Sequence, residues 1–138
     1  MSAVDLSKIP KLKARELLGG ELLSIDGDSG ATKLRYVPTE ALNNPVGSVL
    51  GGFTAAMIDD AAGAATWFGG GKRMFATVQM STNFLRPAKA GVALIADAIV
   101  TGVGGQQAFI DVRITREQDG KLVATGTVVQ TFIDGAAR

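Results

Sequence analysis

The apolar positions of this chain change period along its length, and each change marks an element. Among the first eighteen residues, Leu6, Ile9, Leu12, Leu17 and Leu18 stand among Lys and Glu at a weakly helical spacing, in which Pro10 must sit in a first turn or break the helix. Gly19-Gly20 stops it. Two short strand-like pieces follow, Glu21 to Ile25 and Ala31 to Val37, and "DGDSG" between them supplies the turn residues of a hairpin. After the loop Pro38 to Val49, apolar residues recur at Leu50, Phe53, Met57, Ile58, Ala61, Ala65 and Phe68, which predicts an amphipathic helix ended by Gly69-Gly70-Gly71. Ala and Gly fill its remaining faces, so neighbours can approach from several sides and the helix is expected to be buried.

From Met74 the period becomes two. Met74, Ala76, Val78, Met80 and Phe84 alternate with Thr77, Gln79, Ser81 and Asn83, until "RPAKAG" closes the strand. Val92 to Thr101 is a nearly continuous apolar strand turned by "GVGG". Ala108, Ile110, Val112 and Ile114 then alternate with Phe109, Asp111, Arg113 and Thr115, and "EQDGK" sends the chain back through Leu122 to Ile133. The pattern predicts an α+β fold in which a curved antiparallel sheet, ending in a meander, wraps one long central helix.

Composition narrows the chemistry. At 138 residues, 46% hydrophobic and 20% charged, residues 1–138 are expected to form one globular domain with a helical N-terminal segment over 1–20. A net charge of +1 with scattered basic residues gives no electrostatic reason to expect nucleic acid or an anionic membrane as partner. The N-terminal stretch lacks the apolar core of a secretory signal, and no run of eighteen apolar residues occurs, so a cytoplasmic location is expected. The chain contains no Cys and no His. Thiol nucleophiles, His-based triads, disulfides and most zinc or haem sites are thereby excluded, and acid/base work falls to carboxylates, hydroxyls, lysines, amides or backbone N–H groups.

Three linked stretches, "NNPVGSVLGGFTAAMIDDAAGAA", "ATVQMSTNFLRPAKAG" and "DGKLVATGTVVQTF", in this order and spacing, resemble the hotdog-fold acyl-CoA thioesterases of the 4-hydroxybenzoyl-CoA thioesterase superfamily, in the phenylacetate-pathway (PaaI-like) branch. The resemblance spans about Leu22 to Phe132. It implies hydrolysis of an acyl-CoA to a carboxylic acid and free CoA, with no cofactor beyond the CoA of the substrate and no metal. It also implies a homodimer, and beyond it a homotetramer, because the family builds each site from the glycine loop of one subunit and a carboxylate of the other. In that branch the loop carries Asn, Gly and then His-Gly-Gly. Asn44, Gly47, Gly51 and Gly52 match, Asp59 holds the acidic position, and Leu50 stands where the His is usual.

Each implied role has a physical rationale beside a plainer one. Negative charge grows on a thioester oxygen under attack, and the first amides of a helix lack internal partners at the positive end of its dipole, so the Gly51 N–H suits an oxyanion donor. Two glycines also serve simple close packing. Asp59 lies eight residues further along the same helix, roughly 12 Å on at ~1.5 Å per residue, so one chain cannot bring both groups to a single carbonyl. By resemblance Asp59 is the base on water, or a nucleophile forming a mixed anhydride, whereas Asp60 reads as a solvent-facing helix carboxylate. Thr77 would orient the water; alternation puts it on one face with Gln79 and Ser81. Asn44 either holds water or thioester or organises the turn before Pro45. Leu50, Gly52, Arg86, Pro87 and Lys89, with the glycines of 102–105, would contact substrate. Phe53, Trp67 and Phe68 either line an acyl pocket or belong to the core.

Losing one oxyanion donor costs on the order of 10²–10³ in turnover, so Leu50 leaves hydrolysis feasible through the Gly51 amide. The competing expectation is an acyl-CoA or lipid-binding protein that kept the fold and lost efficient chemistry. Enoyl-thioester hydration on this fold fits poorly, because it usually relies on an Asp and His pair.

Overall fold

The computed structural model describes residues 2–133. Its N-terminal segment makes a single 3-10 turn, Leu6–Lys8, and a short helix α1, Lys13–Leu17. Pro10 falls between them, so it divides the weakly helical stretch instead of opening one helix. Strands β1 (Gly20–Ile25) and β2 (Thr32–Tyr36) form the expected hairpin, and helix α2 runs from Gly51 to Gly69. Strands β3 (Phe75–Phe84), β4 (Leu94–Val103), β5 (Gln107–Arg116) and β6 (Leu122–Phe132) complete one six-stranded antiparallel sheet in the order β1-β2-β4-β5-β6-β3. Among the described residues no helix is long and apolar enough to cross a membrane.

The α+β reading holds, and the meander takes in three of the four strands that follow the helix. Strands β4, β5 and β6 form the meander, but β3 pairs with β6 and not with its sequence neighbour β4. Periodicity identifies strands without identifying their partners. The consequence is that β3, ten residues long, is an edge strand whose outer side is unpaired among the described residues.

Helix α2 lies on the sheet through a stripe of Met57, Ile58, Ala61, Ala62 and Ala65, all fully buried. Small residues along this stripe let the helix backbone sit close to the strands. At Gly126 of β6 an added Cβ would fall 2.5 Å from Ile58 Cγ2, so only glycine allows that approach. Leu34, Leu94, Ala96, Ile110, Val112, Ile114 and Val128 line the sheet side of the same core.

Asp60, expected to face solvent, does the opposite. Arg15 of α1 donates to it through Nε at 2.9 Å and Nη2 at 3.0 Å, and the Tyr36 hydroxyl donates to its Oδ2 at 2.7 Å. The side chains of Arg15 and Asp60 are only 8% and 13% exposed. Burial, the Asp60 charge and the hydrogen bond to Asp60 push the Tyr36 hydroxyl far above its ordinary range against the opposing pull of Arg15, so it remains a donor. A carboxylate on a helix that faces a sheet and a docked segment can stay charged only if such partners come to it. Arg15, forty-five residues away in sequence, supplies the charge.

This network clamps the N-terminal segment to α2. Removing one member of a buried pair leaves the other charge without compensation. Arg15→Met is expected to lower unfolding free energy by about 3 kcal/mol in urea titrations, and Arg15→Met/Asp60→Leu/Tyr36→Phe to recover most of that loss.

Candidate active site

Helix α2 begins without a side-chain cap. Its N-cap is Leu50, which makes no capping hydrogen bond, although its carbonyl accepts from the amides of Phe53 at 2.9 Å and Thr54 at 3.3 Å. Leucine is among the poorer N-cap residues, about 1 kcal/mol worse than Ser, Asp or Asn, and no side chain competes for the first amides. Glycine at 51 and 52 needs explaining too, since each costs a helix about 1 kcal/mol relative to Ala. Neither has a positive φ, a Cβ at Gly51 would make only ordinary contact with the Phe84 ring at 3.5 Å, and a Cβ at Gly52 would meet nothing within 4 Å. The described chain itself therefore gives no steric reason for the pair, and the helix start is left open to approach from outside.

The loop that delivers this helix is organised by Asn44. Its Oδ1 accepts from the amides of Val46 at 3.0 Å and Ser48 at 3.1 Å, and its Nδ2 donates to Ser48 Oγ at 3.0 Å. Gly47 turns the loop at φ +86°, a conformation that other residues rarely take. Both acceptor positions of Asn44 are thus spent within the loop, and Ser48 is buried beside it. Of the two roles open to Asn44, the turn is the one the structure displays.

Asp59 and Thr77 meet directly. The Thr77 hydroxyl donates to Asp59 Oδ1 at 2.7 Å, and Gln130 Nε2 donates to Thr77 Oγ1 at 3.1 Å. Simple alternation had put Thr77 on a face with Gln79 and Ser81, and the structure corrects this. The pairing of β3 with β6 slips between Thr77↔Gln130 and Gln79↔Val129, leaving Val78 as the extra residue of a β-bulge. The bulge changes the phase of the strand: Phe75 and Thr77 face α2 before it, Met80 packs on the core after it, and Gln79 instead donates to Ser81 Oγ on the other face.

Gln130 was not singled out from sequence. It is 1% exposed and its Oε1 has no hydrogen-bond partner. A signal was present, since β6 alternates inward at Val128, Gln130 and Phe132, and an amide in that row needs a polar partner. Arg15 and Tyr36 offered no comparable signal, because their partner is remote in sequence.

The predicted site residues fall into two groups. Asp59 and Thr77 open onto a cavity of about 470 Å³ whose walls include Trp67, Phe68, Phe75 and, from the N-terminal segment, Ile9, Pro10 and Leu12. Trp67 and Phe68 are thus lining residues, whereas Phe53 packs against the core. Gly51 opens instead onto a separate groove of about 300 Å³ with Thr54, Phe84, Arg86 and Pro87. Leu50, Gly52 and Lys89 line neither, although Leu50 is 47% exposed at the helix start. Arg86 uses Nη1 to hold the Leu122 carbonyl at 2.7 Å, and in the glycine turn of 102–105 the Gly105 carbonyl accepts from Arg73 at 2.9 Å. Among the described residues no group of His, Cys, Asp or Glu is arranged to hold a metal ion.

Chemically, one half offers a carboxylate held by a hydroxyl beside an apolar cavity. The other offers uncapped helix amides in a groove that Arg86 also lines. The chain is similar to proteins whose names fit these parts. Human acyl-coenzyme A thioesterase 13 is 26% identical over 121 residues, covering 88% of this chain and 86% of that protein. The PaaI protein from the phenylacetic acid degradation operon of E. coli superposes with a TM-score of 0.81 at 27% identity, over 89% of this chain and 86% of that one. A phenylacetic acid degradation-related protein from Ralstonia eutropha JMP134 superposes with a TM-score of 0.80 at 33% identity, over 90% and 92%. The family model described as the thioesterase superfamily matches residues 46–123, more than half of the chain, and with these neighbours it establishes that the chain belongs to the thioesterase superfamily and has the PaaI-like hotdog fold.

Proposed function

We propose that this protein hydrolyses acyl-CoA thioesters at a site shared by two subunits, with the Gly51 amide of one subunit facing Asp59 and Thr77 of the other. The observation that carries this reading is the Thr77–Asp59 pair at 2.7 Å on the lip of an apolar cavity, set apart from uncapped amides that the same chain cannot bring to it. Water held by Asp59 gives its proton to the carboxylate as its oxygen attacks the thioester carbonyl. The developing oxyanion is met by the Gly51 N–H at the positive end of α2. Collapse of the tetrahedral intermediate breaks the C–S bond, and the proton on Asp59 goes to the departing CoA thiolate. The variant in which Asp59 attacks directly passes through a mixed anhydride that water then opens.

The edge strand supports the assembly this requires. β3 carries Val78, 56% exposed, and Phe84, 54% exposed, along an unpaired edge roughly 33 Å long at ~3.3 Å per residue. An edge of that length and character invites a second strand. Pairing of two such edges gives a homodimer, and association of two dimers gives a tetramer. Leu50 favours the second reading, a protein that binds acyl-CoA with little turnover, because an exposed apolar side chain stands at the helix start where the family usually has a His donor.

Thiol release from a panel of acyl-CoAs decides between the two. Asp59→Asn is expected to reduce kcat by at least about 10²-fold, and Thr77→Ala, which removes one hydrogen bond to a charged group, by about tenfold or more. Thermal stabilisation by acyl-CoA without thiol release from the unaltered protein would sustain the binding reading instead. Leu50→His is expected to raise kcat by about 10²-fold by supplying a second donor.

Subunit sharing has its own test. Gly51→Pro replaces the N–H by a ring at a helix position where proline is well tolerated, its Cβ making only ordinary contact with Phe84 at 3.5 Å, and Leu50 at ψ 132° already has the extended conformation that precedes proline. Gly51→Pro and Asp59→Asn are each expected to be inactive alone. Mixed dimers formed from them carry one intact site, so activity should return when the two are unfolded and refolded together; a site contained within one chain would leave the mixture inactive.

A further inference from the structure

We infer that residues 5–15 form a strap that closes the acyl site and sets the size of acyl group it accepts, with Ile9 and Leu12 as the residues that limit chain length. The inference rests on the thioesterase reading only for the identity of the occupant. The strap belongs neither to the sheet nor to α2, yet it contributes Ile9, Pro10, Leu12 and Arg15 to the lining of the cavity onto which Asp59 and Thr77 open. Trp67, Phe68 and Phe75 are on the same lining.

Both ends of the strap are fixed. At the start, the Ser2 amide donates to Asp26 Oδ1 at 3.0 Å and the Val4 amide to the Ile25 carbonyl at 3.0 Å. The amides of Ser2 and Asp28 and the Ser29 hydroxyl draw the Asp26 carboxyl down to about 2, so this anchor stays charged above strongly acidic pH. At the far end, Arg15 is held by Asp60 in the bidentate pair, with Tyr36 behind it. Between the anchors, the 3-10 turn Leu6–Lys8 is capped by Asp5, which accepts from the Ser7 amide at 3.1 Å and hydroxyl at 2.6 Å, and Pro10 stiffens the next step. A segment with so little core contact stays in place because of these anchors.

The chemistry of the cavity selects its occupant. Among the described residues the cation on its lining is Arg15, whose Nε and Nη2 are held in the bidentate pair with Asp60, and the second carboxylate, Asp59, lies with Thr77 at the reacting end. The opposite walls are aromatic and aliphatic, so the part of a substrate extending away from the reacting carbonyl is an uncharged hydrocarbon chain or ring. Ile9 and Leu12 of the strap share that lining with Leu22 and Ile25 of β1, and they are the bounding side chains that can be changed without altering the sheet.

Two substitutions test this with opposite signs. Leu12 is 49% exposed, so Leu12→Trp adds bulk at the wall without disturbing the core, and Ile9→Ala removes bulk. Hydrolysis of straight-chain acyl-CoAs from acetyl to palmitoyl, and calorimetric binding of the non-hydrolysable S-alkyl-CoA thioethers of the same lengths, are measured for the unaltered protein and both variants. Leu12→Trp is expected to move the preferred length downward, the ratio of long-chain to short-chain kcat/KM falling about fourfold for each methylene displaced, and Ile9→Ala to move it upward. Length profiles of both variants that superimpose on that of the unaltered protein would overturn the strap while leaving hydrolysis in place. Thioether affinities that shift with the two substitutions in a protein releasing no thiol would uphold the strap and remove the thioesterase reading.

Discussion

Everything in this fold depends on how closely α2 can lie on its sheet. Three fully buried alanines and a glycine in the facing strand bring helix and strands into contact distance, and Ile58 fills the space a Cβ at Gly126 would need. With the helix held at that depth, adjacent residues on its flank meet different neighbours. At about 100° per residue, Asp59 turns toward β3 and Asp60 toward β2 and α1. One carboxylate is drawn into a hydroxyl at a cavity lip, the other into a bidentate ion pair that fastens the N-terminal segment. Two chemically identical side chains thus acquire separate duties from orientation alone.

The same placement keeps the two groups of candidate residues apart. The start and the middle of a straight helix cannot address one carbonyl, so the uncapped amides at Gly51 and the Asp59–Thr77 pair belong to different openings of the same chain. In a chain that contains no imidazole at all, the donors at the start of this helix are main-chain amides.

Much of the fold was legible because burial here obeys simple periods. The helix over Gly51–Gly69 and the strands from β4 to β6 follow directly from spacing of 3.6 and of two, with Gly-rich breaks between them. What was not legible arises from contacts between segments far apart. Nothing local to Asp60 announces Arg15, and nothing local to β3 says that it joins β6. Thr77 stands beside Asp59, but alternation gives it the wrong neighbours on its face, because a bulge has no signature in a row of alternating residues. Gln130 was readable as an amide at an inward position, yet its meaning depends on the hydroxyl it holds.

That bulge at Val78 has a consequence for the outside of the molecule as well. An even, flat strand edge is periodic, so a second strand can slide along it by two residues and find equivalent bonds, and a third chain can repeat the act. The extra residue in β3 breaks that translational symmetry and twists the edge locally. A docking strand meets one irregular point and is aligned by it. For any strand that docked there, the edge would carry information about alignment as well as capacity for bonding, and that would favour a closed pair over open-ended growth.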